Sequence, residues 1–241
     1  MKRLLDLTAA ATGLVVLSPL LIAVAVAVWL QDFQSPFYVA PRMGLGGTTF
    51  KMVKFRSMTV GADRAGVDST SVDDVRITAI GRWLRAYKLD ELMQLWNVLT
   101  GDMSPVGPRP QVCREVDIWT DVERGLLSVK PGITDLSSIV FSDESEILKG
   151  ACDPDIAYNQ LIRPWKSRLG LAYIRHQSVS LDIELILTTA LALVSRRRAL
   201  AHVQRILARL GVDEQTREAA SRTAPLRPYP PPGATAIVTG R

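Results

Sequence analysis

Residues 7–30 read LTAAATGLVVLSPLLIAVAVAVWL, without one charged side chain. About 20 consecutive apolar residues suffice to cross a bilayer as a helix, so the rest of the chain must be built beside a membrane segment. The run is too long for the apolar part of a signal peptide, and no convincing cleavage site follows it. Ser18-Pro19 falls in its middle, where proline lacks an amide donor and crowds the preceding turn. Two geometries follow. One is a kinked spanning helix whose freed carbonyl takes a neighbouring hydroxyl such as that of Ser18. The other is a helix-break-helix that returns to the face it entered from. Lys2 and Arg3 precede the segment, and Arg42, Lys51, Lys54 and Arg56 follow it, so the positive-inside rule has no asymmetry to act on. Both ends on the cytoplasmic side would satisfy it, and the residues alone leave crossing and re-entry open.

The 241 residues carry a formal charge of +5. That suits an anionic partner: nucleic acid, an acidic membrane surface or a phosphorylated small molecule. The arginines line no single recognition helix, and a membrane-embedded N-terminus is a poor companion for nucleic acid, which is not expected as a partner. Two cysteines and two histidines are too few for a disulfide framework or an ordinary zinc site. A metal here would be a hard cation held by carboxylates, such as Mg²⁺.

The fold class expected is α+β, mostly helical. Residues 36–58 read as a short β-hairpin around Gly44, Gly46 and Gly47, and 59–75 as a polar loop. A helical pattern runs from Thr78 past Trp96. SPVGPRP (104–110) must be a rigid, extended loop. Residues 111–128 are again helical in pattern, 129–135 turn sharply, and 153–175 read as one helix with Pro164 near its middle. The apolar stretch 183–194 is too short to span. The domain boundaries expected are 1–32 for the membrane hairpin, 33–194 for the catalytic domain and 195–222 for a basic amphipathic helix. That helix fits either an anionic membrane surface or its own domain. A Pro-rich, disordered tail covers 223–241.

Asp90 and Glu91 are the candidate chemistry. On a helix, Leu89, Leu92, Met93 and Trp96 share the core stripe, while Asp90, Gln94 and Asn97 form a polar one, so both acids flank a surface. Acids in a first turn also oppose the helix dipole, and on local pattern alone that structural role is the better account. Their company shifts it: Arg82, Arg85 and Lys88 precede them, and the proline-locked loop carries Arg109, pre-organised for phosphate oxygens. Adjacent carboxylates among arginines suggest phosphoryl transfer, with one acid attacking phosphorus and the other holding Mg²⁺.

KFRSM (54–58), DDVRITAIGRWLRAYKLDELMQLWNVLTGDMSPVGPRP (73–110) and KPGIT (130–134) resemble, in order, the signature blocks of the bacterial sugar transferases. These are the monotopic phosphoglycosyl transferases that act on polyprenyl phosphates. The likeness covers about residues 1–194, including the Ser-Pro break. It implies transfer of a sugar 1-phosphate from a UDP-sugar to polyprenyl (undecaprenyl) phosphate at the cytoplasmic face of the bacterial inner membrane, with release of UMP and initiation of lipid-linked glycan assembly. Asp90 would be the nucleophile and Glu91 the Mg²⁺ ligand, while Lys54, Arg56, Arg85 and Arg109 would bind substrate phosphates. Asp182 matches an acid of the family's C-terminal block, with substrate binding its expected role. The Ser18-Pro19 segment would re-enter the cytoplasmic leaflet, and a homodimer is one oligomeric option. With no multi-span domain ahead of it, the chain resembles the compact form of the family.

Two departures from the pattern stand out. Met93 replaces the proline of DELPQL. PGITDLSSIVFSDE replaces PGITG and the block after it, so Asp135, Ser137 and Ser138 sit where sugar or nucleotide contacts would differ. The alternative function is a non-catalytic membrane scaffold in a glycan-assembly complex, against which the intact Asp90, Glu91, Lys54 and Arg109 argue.

Overall fold

The structure is a computed structural model that describes residues 2–65 and 69–240. It is mostly helical, with one small hairpin. Helix α1 (Lys2–Leu30) holds the apolar run and has Pro19 inside it. The carbonyl that Pro19 cannot bond is that of Val15, and the Ser18 hydroxyl donates to it at 2.8 Å. The hydroxyl rescue expected from the sequence is therefore present. A division into two helices is not. With a side-chain donor in place of the missing amide, the turn keeps its bond and α1 runs unbroken.

Strands β1 (Phe37–Met43) and β2 (Thr49–Phe55) pair antiparallel from Phe37↔Phe55 to Met43↔Thr49. Gly46 and Gly47 take φ of 66° and 77° in the turn, a region that glycine enters without a Cβ clash. Of the loop expected at 59–75, residues 66–68 lie outside the described residues.

The single helix expected from Thr78 past Trp96 is instead three pieces. α2 (Ala79–Ala86) is capped by the Thr78 side chain, which accepts from the Gly81 amide. Lys88 then turns left-handed at φ 56°, Leu89–Glu91 form a 3-10 turn, and α3 (Gln94–Thr100) follows. Strand β3 (Ser104–Val106) comes next, then α4 (Cys113–Asp117). β4 (Gly132–Thr134) pairs parallel with β3, so VGPRP and KPGIT lie side by side. A Cβ on Gly132 would meet the Gly107 amide nitrogen at 2.0 Å. Neither loop could come this close with a side chain there.

α5 (Leu136–Val140), α6 (Glu144–Ile147), α7 (Pro154–Leu161) and α8 (Arg163–Arg175) follow. Pro164 does not sit inside one long helix; it begins α8, where its missing amide costs no hydrogen bond. α9 (Val179–Val194), α10 (Arg196–Arg209) and α11 (Glu214–Ser221) complete the C-terminal part. Val203, Ile206 and Leu207 of α10 are buried against Leu169, Tyr173 and Leu185, so the amphipathic helix packs on its own domain. The tail, expected to be disordered, is laid along that domain. Tyr229 stacks on Trp165 at 4.5 Å, and the Pro232 and Val238 carbonyls accept from Thr120 and Gln160. Its aromatic and main-chain acceptors find partners despite its composition.

Only 11% of the most apolar stretch of α1 is buried, yet the segment touches the domain near both ends. At the start, Arg3 donates to the Val98 and Leu99 carbonyls at 2.6 and 3.0 Å, and Asp6 accepts from the Ser104 hydroxyl. Just beyond its end, Asp32 receives both Arg56 amino nitrogens at 2.7 Å. Between them Leu21, Val24 and Val28 pack with Phe55 and Leu84.

Candidate active site

Four segments converge on an open cavity of about 750 Å³, bordered by Lys54, Arg85, Asp90, Arg109, Glu144 and Lys166 among others. β2 carries Lys54, the last turn of α2 carries Arg85, the 3-10 turn carries the acids, and the proline-locked loop carries Arg109. The left-handed Lys88 matters here. It turns the chain between α2 and α3, so the acids stand on a tight turn and not midway along a helix.

The stripe assigned to a surface is buried. Asp90 is 6% exposed, Gln94 1% and Asn97 2%, whereas Trp96 of the supposed core stripe is 50% exposed. Asn97 faces β2, where its oxygen accepts from the Val53 amide at 2.9 Å and its nitrogen donates to the Lys51 carbonyl at 2.8 Å. Leu89, Leu92 and Met93 are only partly buried, against the α1 cluster. Gln94 has neither amide atom bonded among the described residues.

The two acids are placed differently. Asp90 borders the cavity, while Glu91 does not. Glu91 accepts from Lys54 at 3.1 Å and from both amino nitrogens of Arg109. Burial alone would raise the Glu91 carboxyl, but Arg109 and Lys54 outweigh it and hold the group well below its ordinary range. Asp90 goes the other way: burial, then the adjacent Glu91 charge, push it up against the pull of Lys54, Arg85 and Arg109. Burial also lowers the Lys54 and Lys88 ammonium groups. Arg85 has no ion-pair partner among the described residues and keeps its donors for a ligand.

The other expected residues have structural partners. Arg56 borders the cavity but is clamped bidentately by Asp32 and also donates to the Ser35 carbonyl. Asp182 lies outside the cavity, where it accepts from Lys2 and from the Tyr173 hydroxyl. It ties the start of α1 to α8 and α9. Asp182→Asn is expected to lower stability by about 1–3 kcal/mol, the scale of a charge-assisted hydrogen bond, with substrate KM unchanged; melting curves beside initial rates check this. Asp135 caps α5, accepting from the Ser138 amide and from the Ser137 and Ser138 hydroxyls. Asp135, Ser137 and Ser138 of the departure from PGITG are thus engaged with each other. Glu144, Tyr158 and Lys166 were not singled out from the sequence, because they reach the cavity from three separate helices with no local spacing to betray them.

The family model described as bacterial sugar transferase matches residues 1–196. The chain belongs to the bacterial sugar transferase family. Among curated members, the UDP-glucose:undecaprenyl-phosphate glucose-1-phosphate transferase of Klebsiella pneumoniae is 35% identical over 192 residues, covering 78% of this chain and 39% of that protein. The undecaprenyl-phosphate glucose phosphotransferase of Komagataeibacter xylinus is 38% identical over 199 residues, 78% of this chain and 35% of the relative. The exopolysaccharide production protein ExoY of Sinorhizobium fredii is 38% identical over 153 residues, 57% and 68% of the two chains. The match thus spans well under half of the first two transferases.

Proposed function

We propose that this sugar transferase moves a sugar 1-phosphate from a UDP-sugar to a polyprenyl phosphate, through a phosphosugar carried on Asp90, and so begins a lipid-linked glycan. The observation that carries the reading is the unequal placing of the acids. Asp90 borders the cavity with a desolvated carboxylate, while Glu91 sits behind it and orients Lys54 and Arg109. An Asp90 oxygen attacks the β-phosphorus, the bond from that phosphorus to the bridging oxygen breaks, and UMP leaves with the electron pair. A phosphate oxygen of the polyprenyl phosphate then attacks the same phosphorus and returns the Asp90 carboxylate. Lys54, Arg85 and Arg109 bind the charge on the transferring group, which is worth most in a water-poor site. The relatives' names, with their glucose 1-phosphate and undecaprenyl phosphate, support the same class of donor and acceptor.

Glu91 and Asp90 are the chain's own carboxylates for Mg²⁺, and no group of three His, Cys, Asp or Glu that could hold a metal occurs among the described residues. Mg²⁺ bound beside substrate phosphates takes only one or two carboxylates from a protein. Glu91, whose oxygens accept from Arg109 and Lys54, would be the residue that holds the ion. Mg²⁺ would supply neutralisation of the charge on the leaving UMP.

The membrane reading is that α1 lies within the cytoplasmic leaflet without crossing the bilayer, with the cavity facing the cytoplasm. An unkinked helix of 29 residues would be about 43 Å long, yet the domain binds Arg3 at one end and Asp32 just beyond the other. A domain on one side of a bilayer cannot hold both if α1 crosses it. The exposed Leu4, Val15, Val16, Ile22 and Leu30 then face lipid.

Because Asp90 must be ionised to attack, kcat/KM should fall with acidification through a pH above the ordinary aspartate value of 3.8. A pH–rate profile whose acid limb lies below that value contradicts the assignment. The function itself is tested by UMP release from a panel of UDP-sugars with undecaprenyl phosphate and Mg²⁺. Release that depends on the lipid acceptor is expected; silence across the panel overturns the reading.

A further inference from the structure

Beyond Arg109 the cavity ends in a wall that the phosphoryl chemistry does not use. Lys166 of α8 is half-buried and ion-paired to Glu144 of α6, and its ammonium lies 5.2 Å over the Tyr158 ring. Tyr158 is 7% exposed, borders the cavity, and has a hydroxyl with no hydrogen-bond partner among the described residues. Among the described residues only one Glu144 oxygen is engaged, by Lys166, and Lys166, with three donors, has Glu144 as its single hydrogen-bond partner. Tyr158, Lys166 and Arg109 also border a narrow extension of about 20 Å³.

This wall differs in kind from the cation cluster. Lys54, Arg85 and Arg109 face one cavity-lining carboxylate, Asp90, and suit phosphate. Glu144 and Lys166 cancel each other's charge, so the wall offers donors and acceptors without net charge. That is the requirement of a polyhydroxyl ring, whose hydroxyls each donate and accept. Position agrees: Asp90, Arg109, Glu144, Tyr158 and Lys166 line the same cavity, and Arg109 is close enough to both groups that Glu91 and Glu144 each stabilise its charge. A sugar is one ester bond from the phosphorus that Asp90 attacks, so with the phosphate on Arg109 its ring falls within reach of Glu144 and Lys166.

We infer that Glu144, Lys166 and Tyr158 form the sugar-recognition wall of the donor site, reading the hydroxyl pattern of an uncharged hexose. The inference rests on the transferase reading and deepens it. A wall without net charge discriminates against a hexuronate, because the Lys166 ammonium is already paired with Glu144 and leaves its carboxylate no free counter-charge. It also distinguishes epimers, because a hydroxyl turned the wrong way leaves a buried donor or acceptor unpaired.

The test uses the full chain in detergent, with UMP release read for UDP-glucose, its 4-epimer UDP-galactose and UDP-glucuronate. Wild type is expected to separate the epimers and to reject the hexuronate. Glu144→Gln and Tyr158→Phe, which preserve shape, should lower kcat/KM for the preferred sugar by about tenfold or more and narrow the epimer ratio. Inhibition by UMP, which carries no sugar, should stay unchanged, and melting curves confirm the fold. Equal losses for every sugar, or a wild type indifferent to epimers, overturn the inference. So does an effect confined to the KM for polyprenyl phosphate, which would make the wall an acceptor site. A wild type that releases no UMP from any donor is a different failure, because it removes the transferase reading itself.

Discussion

Asp90→Asn and Glu91→Gln are expected to shift stability in opposite directions, although the residues are adjacent, and both to reduce turnover. The cause is the direction in which each carboxyl is displaced. The Asp90 carboxyl is raised in the folded chain, burial and the Glu91 charge outweighing its three cations. Its contribution to stability is present below its unfolded pKa and lost as pH rises through the folded one. At neutral pH its charge therefore opposes folding, and asparagine removes that charge while keeping the shape. Each kcal/mol gained raises the melting temperature of a chain this size by about 2–4 °C. The same substitution removes the proposed nucleophile and should cost at least about a thousandfold in kcat.

Glu91 is held well below its ordinary value of 4.5. Its contribution is present above that value and is lost as pH falls through the folded pKa. Glutamine leaves Lys54 and Arg109 without their shared counter-charge, a change expected to cost about 3–5 kcal/mol. Melting curves at neutral pH, run beside UMP release, check both signs. A stabilised Glu91→Gln would refute the account of the pair.

A second large effect lies away from the chemistry. Glu123 is fully buried and accepts from Arg163 at 3.0 and 2.6 Å, from the Ser167 hydroxyl at 2.7 Å and from the Thr120 amide at 3.1 Å. Arg163 also donates to Asn159 and the Ile118 carbonyl. This network joins the 3-10 segment Glu123–Ser128 to α8, whose next turns carry Lys166 and Ser167. Glu123→Ala strands a buried guanidinium and is expected to cost about 3–5 kcal/mol. The double change Glu123→Leu with Arg163→Met replaces both charges by apolar volume and should recover most of that loss. If the double variant is as unstable as the single one, the cost comes from packing and not from the unpaired charge.

The hairpin was legible because glycines marked the turn and apolar residues marked the strands. The Ser18 rescue was legible because proline's missing donor is a local fact. The acid-bearing segment was misread for two reasons. Lysine gives no signal of the left-handed turn at Lys88 that breaks the helix. A helical wheel also assumes that apolar residues face the interior and polar ones water. Here the apolar side, with Leu92 and Met93, lies by α1, and Trp96 is exposed, while Asp90 and Asn97 face the cavity and β2. The contacts of Asp182 and Asp135 were not legible in the sequence. Asp182 matches the family motif and Asp135 departs from it, yet the partners that engage them, Tyr173 and Ser138, only the fold reveals. The parallel pairing of VGPRP with KPGIT was hidden because its strands come from segments far apart in sequence.

The most direct test of the central claim is to incubate the purified chain with Mg²⁺ and UDP-glucose labelled with ³²P at the β-phosphorus, without lipid acceptor, and to measure label on the denatured protein. Wild type is expected to retain a phosphosugar that undecaprenyl phosphate then discharges, and Asp90→Asn to retain none. Turnover that proceeds only with both substrates bound, while no labelled protein forms at any time, would contradict the covalent route through Asp90.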